Sequence, residues 1–116
     1  MADTAITVRS LRRLDSLVEE HILKGFSKEI LDRNPELAPK YSTWLGLESV
    51  IRNREDAGYR WEIGGCSGES WVTIWPENSV MFDGRAFVAE HEFAPVAFNI
   101  AALASAGCRV ELELED

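Results

Sequence analysis

The chain has 116 residues, of which 46% are hydrophobic and 28% charged, and its net charge is −8. These values predict one domain, residues 1–116, with a single core. No run approaches the roughly 20 apolar residues of a membrane span. The N-terminus, MADTAITVRSLRRLD, lacks the apolar segment of a signal peptide, so we expect a cytoplasmic protein. Cys66 and Cys108 have no Cys or His at ligand spacing, which predicts two reduced thiols and no metal site.

The negative charge is confined to the second half of the chain. Residues 1–60 carry ten Lys/Arg and ten Asp/Glu, whereas residues 61–116 carry two and ten. Because nucleic-acid binders neutralise phosphates with Lys and Arg, this distribution argues against a protein that binds duplex nucleic acid. DNA mimicry by the acidic half stays open. Cationic contacts to an anionic ligand would come mainly from the first half, whose candidates are Arg9, Arg12, Arg13, Arg52, Arg54 and Arg60.

The first predicted helix lies near the N-terminus. Apolar side chains recur at steps of three and four residues from Leu11 to Ile22, and Gly25 can end that helix. His21 lies beside the apolar stripe and is expected to be structural. Ser27 is expected to cap a short turn over residues 28–33, which Asn34-Pro35 ends.

The second predicted helix follows an irregular connector. Residues 34–41, NPELAPKY, are kept out of helix by two prolines. Ser42 or Thr43 then caps a helix that ends near Gly58. Gly46 lies inside this helix, and its missing side chain would allow close approach by another element or a ligand.

The middle of the chain predicts a meander of short strands. Residues 59–63 alternate in polarity, and WVTIW at 71–75 is β-branched and aromatic on both faces, as in a strand that is covered on both sides. Asp83-Gly84 is a hairpin signal between two further strand-like runs. The Gly-rich segment 64–70, GGCSGES, is expected to be a flexible hairpin connection rather than a phosphate loop, because no Lys and no helix follow it.

The last third predicts a buried helix between two strands. Residues 95–106 start with proline, are almost wholly apolar, and stop at Gly107, where a left-handed cap is favoured. Residues 110–114 then alternate as a strand with one buried face. The sequence therefore predicts an α/β (α+β) sandwich with three substantial helical segments and a mainly antiparallel sheet of four or five strands.

No group of residues has the spacing of a catalytic centre. Cys66 has no base or cation beside it, and His91 would point to the opposite strand face from Glu90 and Glu92. We therefore expect a protein that is not an enzyme and that carries neither catalytic residues, a metal nor a cofactor.

Three segments resemble an αβα-sandwich domain family found in small phage and prophage proteins, most of unknown function. They are LDSLVEEHILKG, PKYSTWLGLESVIRNREDAGYRWEI and AEHEFAPVAFNIAALASAGCRVEL. The chain departs from the family in its insertion-like GFSKEILDRNPELA and in Trp44, where a polar residue is usual. The resemblance implies the sandwich fold and a phage context, and hence the cytoplasm of a bacterial host. It implies no catalytic residue.

Three functions are compatible with these observations. The preferred one is a non-enzymatic binding protein, a sponge that sequesters a nucleotide-derived immune signal such as a cyclic nucleotide or cyclic ADP-ribose. The alternative is an inhibitor that binds a host protein through its acidic surface. A small hydrolase or transferase is the least supported, because no nucleophile–base or metal-ligand spacing is present.

The predicted ligand site is the corner between the second helix and the first strand of the meander. Arginines and aromatic residues are concentrated there, for charge-assisted bonds and stacking. The predicted ligand-binding residues are Trp44, Arg52, Arg54, Tyr59, Arg60 and Trp61. For Trp44 and Trp61 taken singly, a place in the core is the preferred interpretation. We also expect a homo-oligomer, because so apolar a helix and a two-sided strand are hard to cover in a small domain.

Overall fold

A computed structural model describes residues 5–79 and 84–114 of the chain. Both helices and strands occur, and the fold is α+β, as the sequence predicts. The elements in chain order are β1 (Ile6–Val8), α1 (Leu11–Val18), a π-helical turn (Glu19–Leu23), α2 (Lys28–Arg33), a 3-10 turn (Pro35–Leu37), α3 (Trp44–Asp56), β2 (Tyr59–Cys66), β3 (Glu69–Pro76), β4 (Phe87–His91), α4 (Ala94–Ser105) and β5 (Val110–Leu112).

The described strands form two sheets rather than one sheet of four or five strands. In the first, β2, β3 and β4 are antiparallel, and each strand pairs with the next along the chain. In the second, β1 and β5 are parallel, with Ile6 opposite Val110. The antiparallel meander is therefore as predicted, but it has three described strands, so the prediction of a sheet of four or five strands is met only in part. The pairing of β1 with β5 joins the two ends of the chain, and local alternation cannot reveal such a partner.

Helix α4 is the centre of the core. It packs against β3 and β4 on one side and against α1 and α3 on the other. Phe98 and Leu103 are fully buried, and Ile100 is half-buried against the core cluster. Gly107, at φ 88°, follows the helix in the left-handed conformation that the sequence predicts. The prediction of a deeply buried helix is confirmed.

Strand β3 is covered on one face only, which contradicts the prediction that both faces are covered. Val72 and Ile74 are fully buried towards α4, whereas Trp71 on the other face is 40% exposed. The indole of Trp71 lies over Gly64 of the neighbouring strand, where a Cβ atom would overlap the ring. An exposed sheet face can thus carry Trp, because the missing side chain of Gly64 makes room for the indole on the sheet surface.

The Gly-rich segment 64–70 is largely strand. Residues 64–66 and 69–70 belong to β2 and β3, and the turn between them is Ser67-Gly68, with Gly68 at φ 77°. The prediction of a hairpin connection holds, but the connection is only two residues long. The second hairpin signal, Asp83-Gly84, falls partly outside the described residues because Asp83 is among those left out.

The start of α3 is built by a side-chain cap and a close backbone contact. Thr43 is the cap: its hydroxyl oxygen accepts a hydrogen bond from the Gly46 backbone N–H at 3.2 Å. A Cβ atom at Gly46 would overlap the carbonyl oxygen of Lys40. The backbone of the connector thus makes the close approach that was predicted at Gly46. This contact with the helix holds the connector in place.

Candidate functional site

A cavity of about 470 Å³ lies where α1, the connector and the starts of α3 and α4 meet. We call it the Asp15 cavity, because Asp15 is its buried ionisable group. It has the size of a small-ligand site, and apolar and polar side chains share its walls. The lining residues are Leu11, Arg12, Asp15, Pro35, Glu36, Ala38, Lys40, Ser42, Thr43 and Phe93.

The position of Asp15 follows from the packing of α1. Leu14, Leu17 and Val18 turn one side of the helix into the core, and Asp15 on the adjoining side is only 5% exposed. Its carboxylate accepts a hydrogen bond from the backbone N–H of Ser42 at 2.9 Å. This bond ties α1 to the residue just before the cap of α3.

The Asp15 carboxyl titrates well above its ordinary range. Burial raises its pKa from 3.8 to about 6, while hydrogen bonding by Ser42 and the positive charge of Lys40 act in the opposite direction. Ser42 is the only hydrogen-bond partner of this carboxylate within the described chain. The group is thus mostly ionised at neutral pH but has few donors to stabilise the charge.

Two exposed cations stand at the mouth of the cavity. Arg12 precedes Asp15 by three residues on α1, and Lys40 comes from the connector. Neither side chain makes a hydrogen bond or an ion pair with another residue in the described ranges. Glu36 is the one further charged residue of the lining. Unpaired cations beside a concave surface favour an anionic ligand.

The N-terminus of α3 adds hydrogen-bond donors beside the cavity. The cap residue Thr43 serves the N–H groups of Gly46 and Leu47 through its side chain and its carbonyl oxygen. The N–H groups of Trp44 and Leu45 have no hydrogen-bond acceptor among the described residues. Free N–H groups and the helix dipole both favour negative charge here.

Aromatic and aliphatic side chains form the remaining rim. Phe93, which precedes α4, lines the cavity, and the Trp44 ring meets it edge-on with 6.0 Å between centroids. Trp44 is 59% exposed. Exposed apolar surface beside a cavity is typical of a binding site.

Buried polar contacts hold the connector wall in place. The Tyr41 hydroxyl donates to the Glu19 carboxylate at 2.7 Å, and the Asn99 side-chain amide donates to the Tyr41 carbonyl oxygen at 2.7 Å. Burial and the negative charge of Glu19 raise the pKa of Tyr41, so this tyrosine stays protonated and remains a donor. These bonds fix Tyr41, at the end of the connector, to α4 and to the π-helical turn.

At the corner predicted from the sequence, the polar groups of Arg54 and Tyr59 are engaged within the chain. The Arg54 guanidinium donates to Ser105 Oγ at 3.1 Å and to Asn53 Oδ1 at 2.8 and 3.2 Å. It lies 5.4 Å from the centre of the Tyr59 ring. The Tyr59 hydroxyl donates to the Ser105 carbonyl oxygen at 3.2 Å. The structure brings these two predicted residues together and joins them to the end of α4.

Trp61 packs towards the core. Its ring meets the buried Phe98 edge-on with 5.9 Å between centroids, and its indole N–H donates to Glu55 at 3.0 Å. This placement matches the expectation that a single Trp here belongs to the core.

The other predicted residues lie apart from that group. Arg52 pairs with Glu48 on the surface of α3 at 2.7 Å. Arg60 is exposed on the open face of the antiparallel sheet, opposite Trp75. Trp44 lies at the other end of α3, beside the Asp15 cavity. The six residues do not form one concave site.

Two shallow depressions lie near the predicted corner, with volumes of about 430 and 450 Å³. Arg54 lines the first and Arg52 the second, but the rings of Tyr59 and Trp61 line neither. Neither depression thus combines a cation with a Phe, Tyr or Trp ring in its lining, whereas the Asp15 cavity does.

The sequence analysis named Arg12 only as one of several candidate arginines and missed Asp15, Lys40 and Phe93. Asp15 had a usable signal, because it is an acidic residue beside the apolar stripe of a helix in a compact domain. No local sequence signal indicated that Lys40 and Phe93 would line the cavity, because their positions depend on how the connector and the start of α4 pack.

Within residues 5–79 and 84–114, no three His, Cys, Asp or Glu side chains are grouped so as to hold a metal ion. No helix in these ranges is long and apolar enough to cross a membrane. Cys66 is exposed and Cys108 buried, and both are free thiols. Comparisons with protein-family models, curated proteins and solved structures found no match to the chain. The resemblance to phage proteins therefore stays a prediction.

Proposed function

We propose that this protein binds a small anionic ligand with an aromatic ring, of the nucleotide kind, in the Asp15 cavity and holds it without converting it. One observation carries the proposal: the cavity joins two cations without partners in the described chain, Arg12 and Lys40, to an aromatic wall at Phe93. The proposal keeps the preferred function from the sequence and moves the binding site away from the 52–61 corner.

The two cations supply the attraction for an anion. The protein carries a net charge of −8, so an anionic ligand needs a local positive region. Arg12 and Lys40 provide one, and hydrogen bonds from charged groups to a phosphate contribute about 1.5–3 kcal/mol each. The free N–H groups at the start of α3 can extend the same contact.

The apolar part of the rim accounts for the aromatic part of the ligand. Phe93 and Trp44 form an edge-to-face pair, which leaves a ring face available for stacking at a partly exposed site. Stacking of a base on an aromatic side chain contributes about 1–3 kcal/mol. A ligand with a phosphate and a base would use both parts of the site at once.

In a phage setting, which the resemblance implies, binding of this kind would sequester a nucleotide immune signal of the host. Sequestration requires no catalytic group.

The second candidate is an enzyme that uses Asp15 for proton transfer, because a carboxyl group with a pKa of about 6 can exchange protons near neutral pH. Binding without turnover distinguishes the first from the second. An inhibitor that acts through its acidic surface would bind no nucleotide.

Calorimetric titration with nucleoside monophosphates and cyclic nucleotides tests the proposal. The double variant Arg12→Ala/Lys40→Ala is expected to bind at least tenfold more weakly than wild type. The matched control is Arg52→Ala/Arg54→Ala, which removes two cations from the originally predicted corner and should leave affinity unchanged. The reverse pattern would place the site at the 52–61 corner, and the absence of binding by the wild type would contradict the proposal. Mass spectrometry of the recovered ligand shows whether it has been converted.

A further inference from the structure

We propose that the Asp15 cavity selects a guanine-type base, one whose neutral edge presents two adjacent N–H donors to the Asp15 carboxylate. This inference rests on the proposed function and specifies the ligand class. It starts from what the buried carboxylate lacks. An ionised carboxylate accepts hydrogen bonds at two oxygens with about four lone-pair positions. Within the described chain, Ser42 is the only residue that donates to it.

Because Asp15 lines the cavity and Ser42 alone donates to it, the remaining acceptor positions of its carboxylate can take hydrogen bonds from a ligand. Guanine carries a ring N–H and an exocyclic amino group side by side, and this pair matches the two oxygens of a carboxylate. Adenine offers one amino donor next to an unprotonated ring nitrogen. That nitrogen would face Asp15 as a second acceptor, which leaves the carboxylate unsatisfied and adds repulsion. A site built around such polar groups rejects the wrong edge strongly.

The charges at the mouth exclude the other ligand class with paired N–H donors. A guanidinium or amidinium cation also matches a carboxylate, but it would have to lie near Arg12 and Lys40, which face the same cavity. A guanine nucleotide is neutral at its base and negative at its phosphate. The base of such a nucleotide would donate to the buried Asp15, and its phosphate would lie near the exposed cations Arg12 and Lys40.

The hydrophobic wall suits the same orientation. Phe93 lines the cavity together with Asp15, so a base that bonds to the carboxylate lies within reach of the ring. The phosphate would then project towards Lys40 and the start of α3, whose Trp44 and Leu45 N–H groups are free of partners in the described residues. Asp15, the two cations and the free N–H groups of α3 thus each have a counterpart on one ligand.

The experiment compares GMP, IMP and AMP by calorimetric titration at pH 7.5 with wild type, Asp15→Asn and the control Glu62→Gln, an exposed change on β2 outside the lining of the cavity. IMP lacks the exocyclic amino group and keeps the ring N–H. Wild type and Glu62→Gln are expected to bind GMP at least tenfold more tightly than AMP, with IMP between them. Asp15→Asn should lose this preference and keep its affinity for AMP, because the phosphate contacts remain. Circular dichroism verifies that both variants are folded.

The failure of this inference is distinct from the failure of the proposed function. If GMP and AMP bind equally and both depend on Arg12 and Lys40, the cavity is a nucleotide site without guanine selection, and this inference is overturned alone. A guanine preference that survives in Asp15→Asn also overturns it. If none of the three nucleotides binds to the wild type, both the inference and the proposed function are wrong.

Discussion

The Asp15 carboxylate accepts the backbone N–H of Ser42 at 2.9 Å and thereby joins helix α1 to the start of helix α3. The two residues are 27 positions apart in the chain, and both line the same cavity. The bond has a structural role, because it fixes the two helices relative to each other. It also leaves a buried negative charge beside a ligand-sized space, which is the basis of the proposed guanine selection.

Replacement of Asp15 by Asn should change the pH dependence of stability. The folded-state pKa is raised from 3.8 to about 6, so the native protein binds more protons than the unfolded chain in this interval. Stability therefore falls as the pH rises from about 4 to 6 and stays low above it. At about 1.4 kcal/mol per pKa unit, the whole effect is at most about 3 kcal/mol.

Asp15→Asn keeps an acceptor for the Ser42 N–H but carries no charge. We expect this variant to be about 1–3 kcal/mol more stable than wild type at pH 7.5 and no more stable at pH 4. Urea unfolding at the two pH values measures the difference, with Glu36→Gln as the control on the exposed side of the cavity. An equal difference at both pH values would show that Asp15 does not titrate in this interval.

The bond between Tyr41 and Glu19 should be one of the costly polar contacts to remove. Tyr41→Phe leaves the buried Glu19 carboxylate without its 2.7 Å donor, and we expect a loss of about 1–3 kcal/mol. Tyr59→Phe is the matched control, because its hydroxyl makes a 3.2 Å bond in a half-buried setting and should cost about 1 kcal/mol or less. A comparable loss of stability in the two variants would mean that the bond to Glu19 contributes no more than the half-buried bond of Tyr59. Chemical denaturation gives both values.

Gly46 should not tolerate a side chain although it lies inside a helix. Helix propensity alone favours Ala over Gly by about 1 kcal/mol. The added Cβ would overlap the Lys40 carbonyl oxygen, so the helix or the connector must move, and we expect a net destabilisation of about 1–3 kcal/mol. Ser49→Ala, an exposed change in the same helix, should be neutral or slightly stabilising. A thermal melt in which Gly46→Ala is the more stable protein would contradict the close contact.

Self-association, which the sequence predicts, stays a prediction and has a direct test. Sedimentation velocity at high micromolar concentration should show a species of twice the 13.0 kDa chain mass or larger. A single monomeric species at every concentration would show that the exposed apolar side chains do not drive assembly of the isolated protein.

Local patterns predicted the helices better than the sheets. The apolar run and Gly107 indicate α4, and the Ser-Thr pair indicates the start of α3, because caps and periodicity depend on neighbouring residues. The partner of β5 is not locally encoded: Ile6–Val8 is too short to show alternation and pairs across almost the whole chain. The aromatic composition of β3 led to the wrong prediction that both of its faces are covered. Aromatic residues such as Trp71 can lie on an open face where a glycine makes room.

The candidate site was harder to predict than the fold. Sequence proximity of arginines and aromatic rings favoured the 52–61 corner, but Arg54 there bonds to Ser105 and the Trp61 ring packs against Phe98. The Asp15 cavity is assembled from α1, the connector and the starts of two later helices. Such a site depends on tertiary packing, and the one local indication was an acidic residue beside the apolar stripe of α1.

The most direct test of the proposed binding site is a titration of ¹⁵N-labelled protein with GMP, followed through the backbone amide resonances. The account predicts saturable shifts that centre on residues 11–15, 40–45 and 93, with the amides of Trp44 and Leu45 among the most affected because their N–H groups lie free at the start of α3. Shifts that centre on residues 52–61 would place the ligand at the other end of that helix. An unchanged spectrum at millimolar GMP would contradict the account altogether.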